Sequence, residues 1–97
     1  MSAPRSRTLF FLGRIVATPG ALRLLEEADT DIAALLGQHV SGDWGDVPRE
    51  DAAENRRSVR HGWRVLSSYP VGDAEARIWV ITEADRSSTC ILLPEEY

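Results

Sequence analysis

The chain has 97 residues, 43% of them hydrophobic and 27% charged. That is room for one small domain with one core, in the composition range of globular rather than disordered proteins. Eleven basic residues, all arginine, face fifteen acidic ones for a net charge of −4, which argues against generic DNA binding with its basic footprint and is too small an excess for a whole-surface DNA mimic.

Residues 1–8, rich in Pro, Ser and Arg, read as a flexible tail, and residues 9–97 as a single α+β domain. Leu9–Ala17 is apolar and partly β-branched, interrupted by Gly13 and Arg14; this predicts a short strand or extended segment at a sheet edge, which would permit a homodimer through strand pairing. Thr18-Pro19-Gly20 is a helix start, with Thr18 as N-cap and Pro19 at the first helical position. Leu22, Leu24, Leu25 and Ala28 supply its apolar face. Asp29-Thr30-Asp31 ends that helix and caps a second one, in which Ile32, Leu35, Leu36 and Val40 keep helical spacing through His39. Ser41–Asp46 reads Ser-Gly-Asp-Trp-Gly-Asp, a loop by its Gly and Asp content. Asp46 is expected to cap a third helix, with Pro48 in its first turn and Gly62 as its stop. Only Ala52, Ala53 and Val59 give that helix an apolar seam. The last third is β: Trp63–Tyr69, Arg77–Glu83 and Thr89–Leu93, with turns at Pro70–Asp73 and Glu83–Ser88. The expected fold is two to three N-terminal helices packed on a C-terminal antiparallel meander of three or four strands.

Several residues are candidates for chemistry. His39, Asp43, Asp46 and Asp51 lie within thirteen positions and carry metal-ligand types. The spacing fits no named metal loop, and Asp46 and Asp51 are explained as residues at a helix start, so no metal and no cofactor is expected. Trp44, between Gly42-Asp43 and Gly45-Asp46, either tucks onto the core and pins the loop or stands out as a partner anchor; burial is the commoner fate of so large an aromatic. Asn55 faces the apolar seam, with Asp51 one turn earlier, and is expected to join a structural polar network. Arg56, Arg60 and Arg64 could form a basic stripe for a phosphate backbone or an acidic partner. The order of charges along this helix, Glu50, Asp51 and Glu54 before Arg56, Arg57 and Arg60, is also what the helix dipole favours. Glu83, Arg86 and a histidine (His39 or His61) are the residue types of a metal-independent ribonuclease: base, phosphorane stabiliser and acid. A plain turn with a local Glu83–Arg86 ion pair explains the same residues. Cys90 reads as a small buried hydrophobe in a core strand. As the lone cysteine it excludes an intrachain disulfide and a zinc site of paired thiolates. The apolar run Leu9–Leu12 is shorter than a signal-peptide core and no stretch approaches a membrane span, so a cytoplasmic location with no membrane association is expected.

The stretches LGRIVATPGAL (Leu12–Leu22), HVSGDWGD (His39–Asp46) and ITEADRSSTCILLPEEY (Ile81–Tyr97) resemble a family of small bacterial proteins found on plasmids and other mobile elements. The resemblance spans nearly the whole chain after Thr8, with GDWGD and EADRS…LLPEEY its most distinctive blocks; the family has Thr where Cys90 stands. It implies a mobile-element origin but supplies no catalytic residue. The sequence therefore points to a non-enzymatic interaction protein. It would dock on a protein partner, with a component of restriction or CRISPR defence as the expected target. The candidate contact surface is Ser41–Glu54, carried by Asp43, Trp44, Asp46, Glu50 and Asp51. A ribonuclease-like enzyme or toxin using Glu83, Arg86 and His39 is the alternative, and a small-molecule or metal sensor centred on His39 and Asp43 a third reading.

Overall fold

The computed structural model describes residues 8–72 and 75–97; the predicted tail, Thr8 excepted, and part of the Pro70–Asp73 turn lie outside this range. The element order is β1 (Arg14–Ala17), α1 (Pro19–Glu27), α2 (Ile32–Ser41), α3 (Arg49–His61), β2 (Val65–Pro70), β3 (Arg77–Thr82) and β4 (Ser88–Leu92), followed by a 3₁₀ turn over Pro94–Glu96. The α+β class is as expected, but a strand precedes the helices, so all three helices fall between β1 and β2.

Local chemistry sets most helix ends. The Thr18 hydroxyl accepts from the Ala21 N–H at 3.1 Å, and the Asp31 carboxylate accepts from the Ala33 N–H at 3.0 Å, each satisfying a first-turn donor with no helical partner. Gly62, at φ 77°, ends α3 in the left-handed conformation. The start of α3 differs from expectation. Pro48 is its N-cap, without a side-chain cap bond. Asp46 is drawn elsewhere: its N–H bonds the Ser68 carbonyl at 2.6 Å and its carboxylate lies 2.8 Å from the Arg77 guanidinium.

The sheet order is β1-β4-β3-β2. β2, β3 and β4 form the predicted antiparallel meander, and β1 adds to β4 in parallel, with Arg14 opposite Ser88 and Ala17 opposite Ile91. The sheet is therefore mixed. The N-terminal strand is also shorter than the apolar run that suggested it. Gly13 sits at φ 67° where a Cβ would come within 2.5 Å of the Arg86 and Ser87 backbone, so only glycine lets the chain turn into β1 against the last hairpin.

One sheet face carries the core. Tyr69, Ile78, Val80 and Ile91 point to Ala21 and Leu25 of α1 and Leu35 and Leu36 of α2. A smaller cluster of Phe10, Trp44 and Val65, flanked by Val40, Val47, Ala52 and Val59, seats α3 against the β2 side. On the opposite face the register aligns Val16, Cys90, Ile81 and Leu66 in one row across all four strands. Cys90 is thus half-buried on this second face rather than in the core. Burial and the nearby Glu96 and Glu83 carboxylates push its thiol above the usual range, away from nucleophilic thiolate behaviour.

Candidate functional site

Strand periodicity brings three small hydroxyl residues to the helix-facing side of consecutive strands: Ser67 on β2, Thr82 on β3 and Thr89 on β4. His39, on the inner face of α2 and fully buried, lies over them. Its Nδ1 is 2.6 Å from Ser67 Oγ and its Nε2 2.9 Å from Thr82 Oγ1; Thr82 Oγ1 is 2.7 Å from Thr89 Oγ1, and Thr89 donates to the Leu12 carbonyl at 2.7 Å. The carbonyl at the end fixes every direction in this chain. Thr89 spends its proton on Leu12, so it accepts from Thr82. Thr82 has then spent its proton and accepts from Nε2–H. Nδ1 is left as the acceptor for Ser67. The imidazole is thereby a neutral Nε2–H tautomer with both nitrogens engaged. Burial, with the Arg86 charge as the smaller cause, pulls its pKa down to about 4.

That placement removes His39 from the roles expected of it. It cannot present a nitrogen to a metal or a substrate without breaking a buried bond. Asp43 is held at the loop by Gln38 at 2.9 Å and the Gly45 N–H at 3.2 Å, Asp46 pairs with Arg77, and Asp51 is exposed on α3 instead of facing the seam. The four residues of the suggested metal set are not brought together. The ribonuclease set fares likewise. Arg86, at φ 60°, donates to the carbonyls of Trp63 (2.7 Å), Ser58 (3.0 Å), Glu83 (3.0 Å) and Ala84 (3.3 Å), and stacks 5.2 Å from the Phe10 centroid. It binds the Glu83 carbonyl in place of the expected ion pair, and clamps the last hairpin to the C-terminal end of α3, joining the Gly62 and Trp63 N–H groups on the Ser58 carbonyl. Glu83 is exposed. Phe10 lies against both Arg86 and His39, its ring centroid 5.3 Å from that of His39. The three side chains share no cleft. His61 stacks on Trp63 at 5.0 Å.

Trp44 is tucked in, 6% exposed, with Phe10 and His39 beside it. The indole holds the loop and is not available as an anchor, while Asp43, Asp46, Glu50 and Asp51 remain on the surface. The stripe of Arg56, Arg60 and Arg64 is broken. Arg56 and Arg60 flank a shallow depression floored by Leu9, Trp44 and Val59, whereas Arg64 lines another with Asp51, Glu54 and Leu66 and donates to the Tyr97 hydroxyl.

What the loop and Asn55 do is cap a sheet edge. Alternation along β2 turns the backbone groups of Leu66 and Ser68 outward. Asn55, 4% exposed, donates from Nδ2 to the Leu66 carbonyl at 2.7 Å and accepts the Leu66 N–H at 3.1 Å, as a strand would. The Ser68 N–H donates to the Trp44 carbonyl at 3.0 Å and the Ser68 carbonyl accepts from Asp46. Pro70 has no N–H to offer. Gly45 makes the cap possible: at φ 75°, its missing Cβ would fall 2.2 Å from the Ser68 carbonyl oxygen. The Tyr69 hydroxyl, donating to the Asp43 carbonyl at 2.6 Å, ties the loop down from the core side.

Among the described residues the other edge is open. Arg14 donates its N–H to Ser87 and Thr18 its N–H to Ile91. In a parallel pair this parity sends the N–H and C=O of Ile15 and Ala17 away from β4, and no described residue bonds to them. Ile15 is 46% and Val16 42% exposed, and Phe11, just before the strand, 79%. Sequence reasoning anticipated an edge here. It missed the contrast with β2, whose signal was Asn55 on an apolar seam opposite a strand. In comparisons with known proteins, no family model, no curated protein and no solved structure matches the chain.

Proposed function

We propose that this protein is a protein-interaction module that takes up an extended strand at its β1 edge. The observation that carries this reading is the unequal treatment of the two edges. Exposed strand edges invite pairing, and proteins blunt them when pairing is unwanted. On β2 a side-chain amide, a loop and a proline meet or remove the outward backbone groups. On β1 no such device stands over Ile15 and Ala17 among the described residues, and apolar side chains flank them. Strand addition draws affinity from main-chain bonds and specificity from alternate side chains, which suits an edge of this kind. The resemblance to mobile-element proteins makes components of restriction or CRISPR defence the first foreign partners to offer.

The test is capture of such a component by the full chain and by an Ala17→Pro variant. The Ala17 N–H faces outward, so proline removes a docking donor without removing a bond to β4. Capture by the parent and its loss in the variant, at an unchanged thermal midpoint, is the expected result. Equal capture by both would refute docking at this edge.

A further inference from the structure

We infer that, when no foreign strand is present, the β1 edge is occupied by β1 of a second copy, paired antiparallel about a two-fold axis through Val16. The inference rests on the strand-uptake reading and names the resting occupant.

The parity of the edge is the first argument. The two outward residues, Ile15 and Ala17, lie symmetrically about Val16. An antiparallel two-fold pairing centred on Val16 sets Ile15 opposite Ala17 of the partner subunit, and the converse. Each such pair exchanges both main-chain bonds, so all the outward groups of the two strands are satisfied in four hydrogen bonds. A centre on Ile15 or Ala17 would satisfy fewer, because the remaining outward residue would fall opposite Gly13 or Pro19 of the partner subunit, the first at φ 67° outside the strand and the second without an N–H.

The side chains agree with that register. Val16, 42% exposed, meets its own copy at the axis on the face away from the helices. The apolar row Leu66, Ile81, Cys90 and Val16 then continues through the partner without a polar break. On the helix side the exposed Ile15 packs on Ala17 of the partner subunit. Arg14 falls opposite Thr18 of the partner subunit, so the register sets no like charges against each other despite the chain's net charge of −4. The following helix, α1, packs against β4, the strand on the inner side of β1. Symmetric pairing of one patch with itself is the commonest route to a dimer. Four residues a side make a small interface, so the dissociation constant belongs on the order of 10–100 µM.

Sedimentation equilibrium of the full chain, from about 5 to about 500 µM, tests this. We expect a monomer–dimer equilibrium that weakens at least tenfold in Ala17→Pro and in Val16→Arg, which sets two guanidinium groups together on the axis. Both variants should keep the parent's circular dichroism. Amide exchange should slow at Ile15 and Ala17 as concentration rises, with no change at Val16. A chain that stays monomeric throughout overturns the inference, as does a dimer that both folded variants retain. The two readings fail separately. A monomeric chain whose foreign capture is lost in Ala17→Pro overturns self-pairing alone. A β1-dependent dimer that captures no foreign strand supports self-pairing and overturns foreign uptake.

Discussion

Lowering the pH from 7.5 to 4 challenges the imidazole of His39, which is fully buried between α2 and the sheet. In the folded chain it takes a proton only near pH 4, against an ordinary value of 6.5. Above 6.5 the ring is neutral in both folded and unfolded chains and contributes no pH dependence. Between 6.5 and 4 the unfolded chain binds a proton that the folded one refuses, so stability falls as the pH falls; below 4 both forms are protonated and the loss is complete. At about 1.4 kcal/mol per pH unit the full loss is about 3 kcal/mol, of which about 2 kcal/mol is gone by pH 5. Surface carboxylates titrate over part of the same range, so the measurement is a difference. Urea unfolding, followed by the fluorescence of the buried Trp44 among the other tryptophans, is run on the parent and on His39→Gln from pH 7.5 to 4.5. The variant starts less stable, because glutamine reproduces the bonds to Ser67 and Thr82 imperfectly. The gap between the two chains should then narrow by about 2.5 kcal/mol by pH 4.5. A gap that stays constant to within about 0.5 kcal/mol would mean that the folded chain protonates His39 as readily as the unfolded one, and the directional hydrogen-bond chain to Leu12 would be wrong.

Two further substitutions probe the devices around it. Asn55→Ala leaves the Leu66 N–H and C=O without their partner and should cost about 2–3 kcal/mol by urea unfolding, with faster exchange of the Leu66 amide; unchanged exchange there would show that the β2 edge is capped by something else. Arg86→Ala should cost about 1–3 kcal/mol through loss of the carbonyl clamp between α3 and the last hairpin, and Arg86→Gly should be the less damaging of the pair, since glycine accepts the positive φ that alanine does not. A reversed order would place the role of Arg86 outside the clamp.

The parts of this fold that were legible in the sequence are those fixed by near neighbours. Thr18, Asp31 and Gly62 act within a turn of where they stand, and β2, β3 and β4 fall within the three runs between turn residues that marked strands in the last third. Asn55 was readable because an amide on an apolar seam needs partners. What could not be read depends on residues far apart in the chain. Nothing near Arg14 says that it pairs with Ser88, and nothing near Arg86 says that its partners are carbonyls of Ser58 and Trp63. His39, Glu83 and Arg86 suggested catalysis as residue types, but type does not carry position. The available hint was the trio Ser67, Thr82 and Thr89, each at an inward position where a hydrophobe would be ordinary. A polar residue repeated at the same level of three neighbouring strands calls for a polar side chain to cross over them.

The pairing of β1 with β4 also orders events during synthesis. Within this sheet the first strand to leave the ribosome is stitched to the last, while β2 and β3 pair with each other as neighbours in sequence. The nascent chain therefore carries Leu9–Ala17 without its neighbour until β4 has emerged, and a product truncated before Ser88 would carry it permanently. Completion of the last hairpin, with Gly13 seated against Ser87, is the step that turns a loose apolar leader into the rim of a sheet.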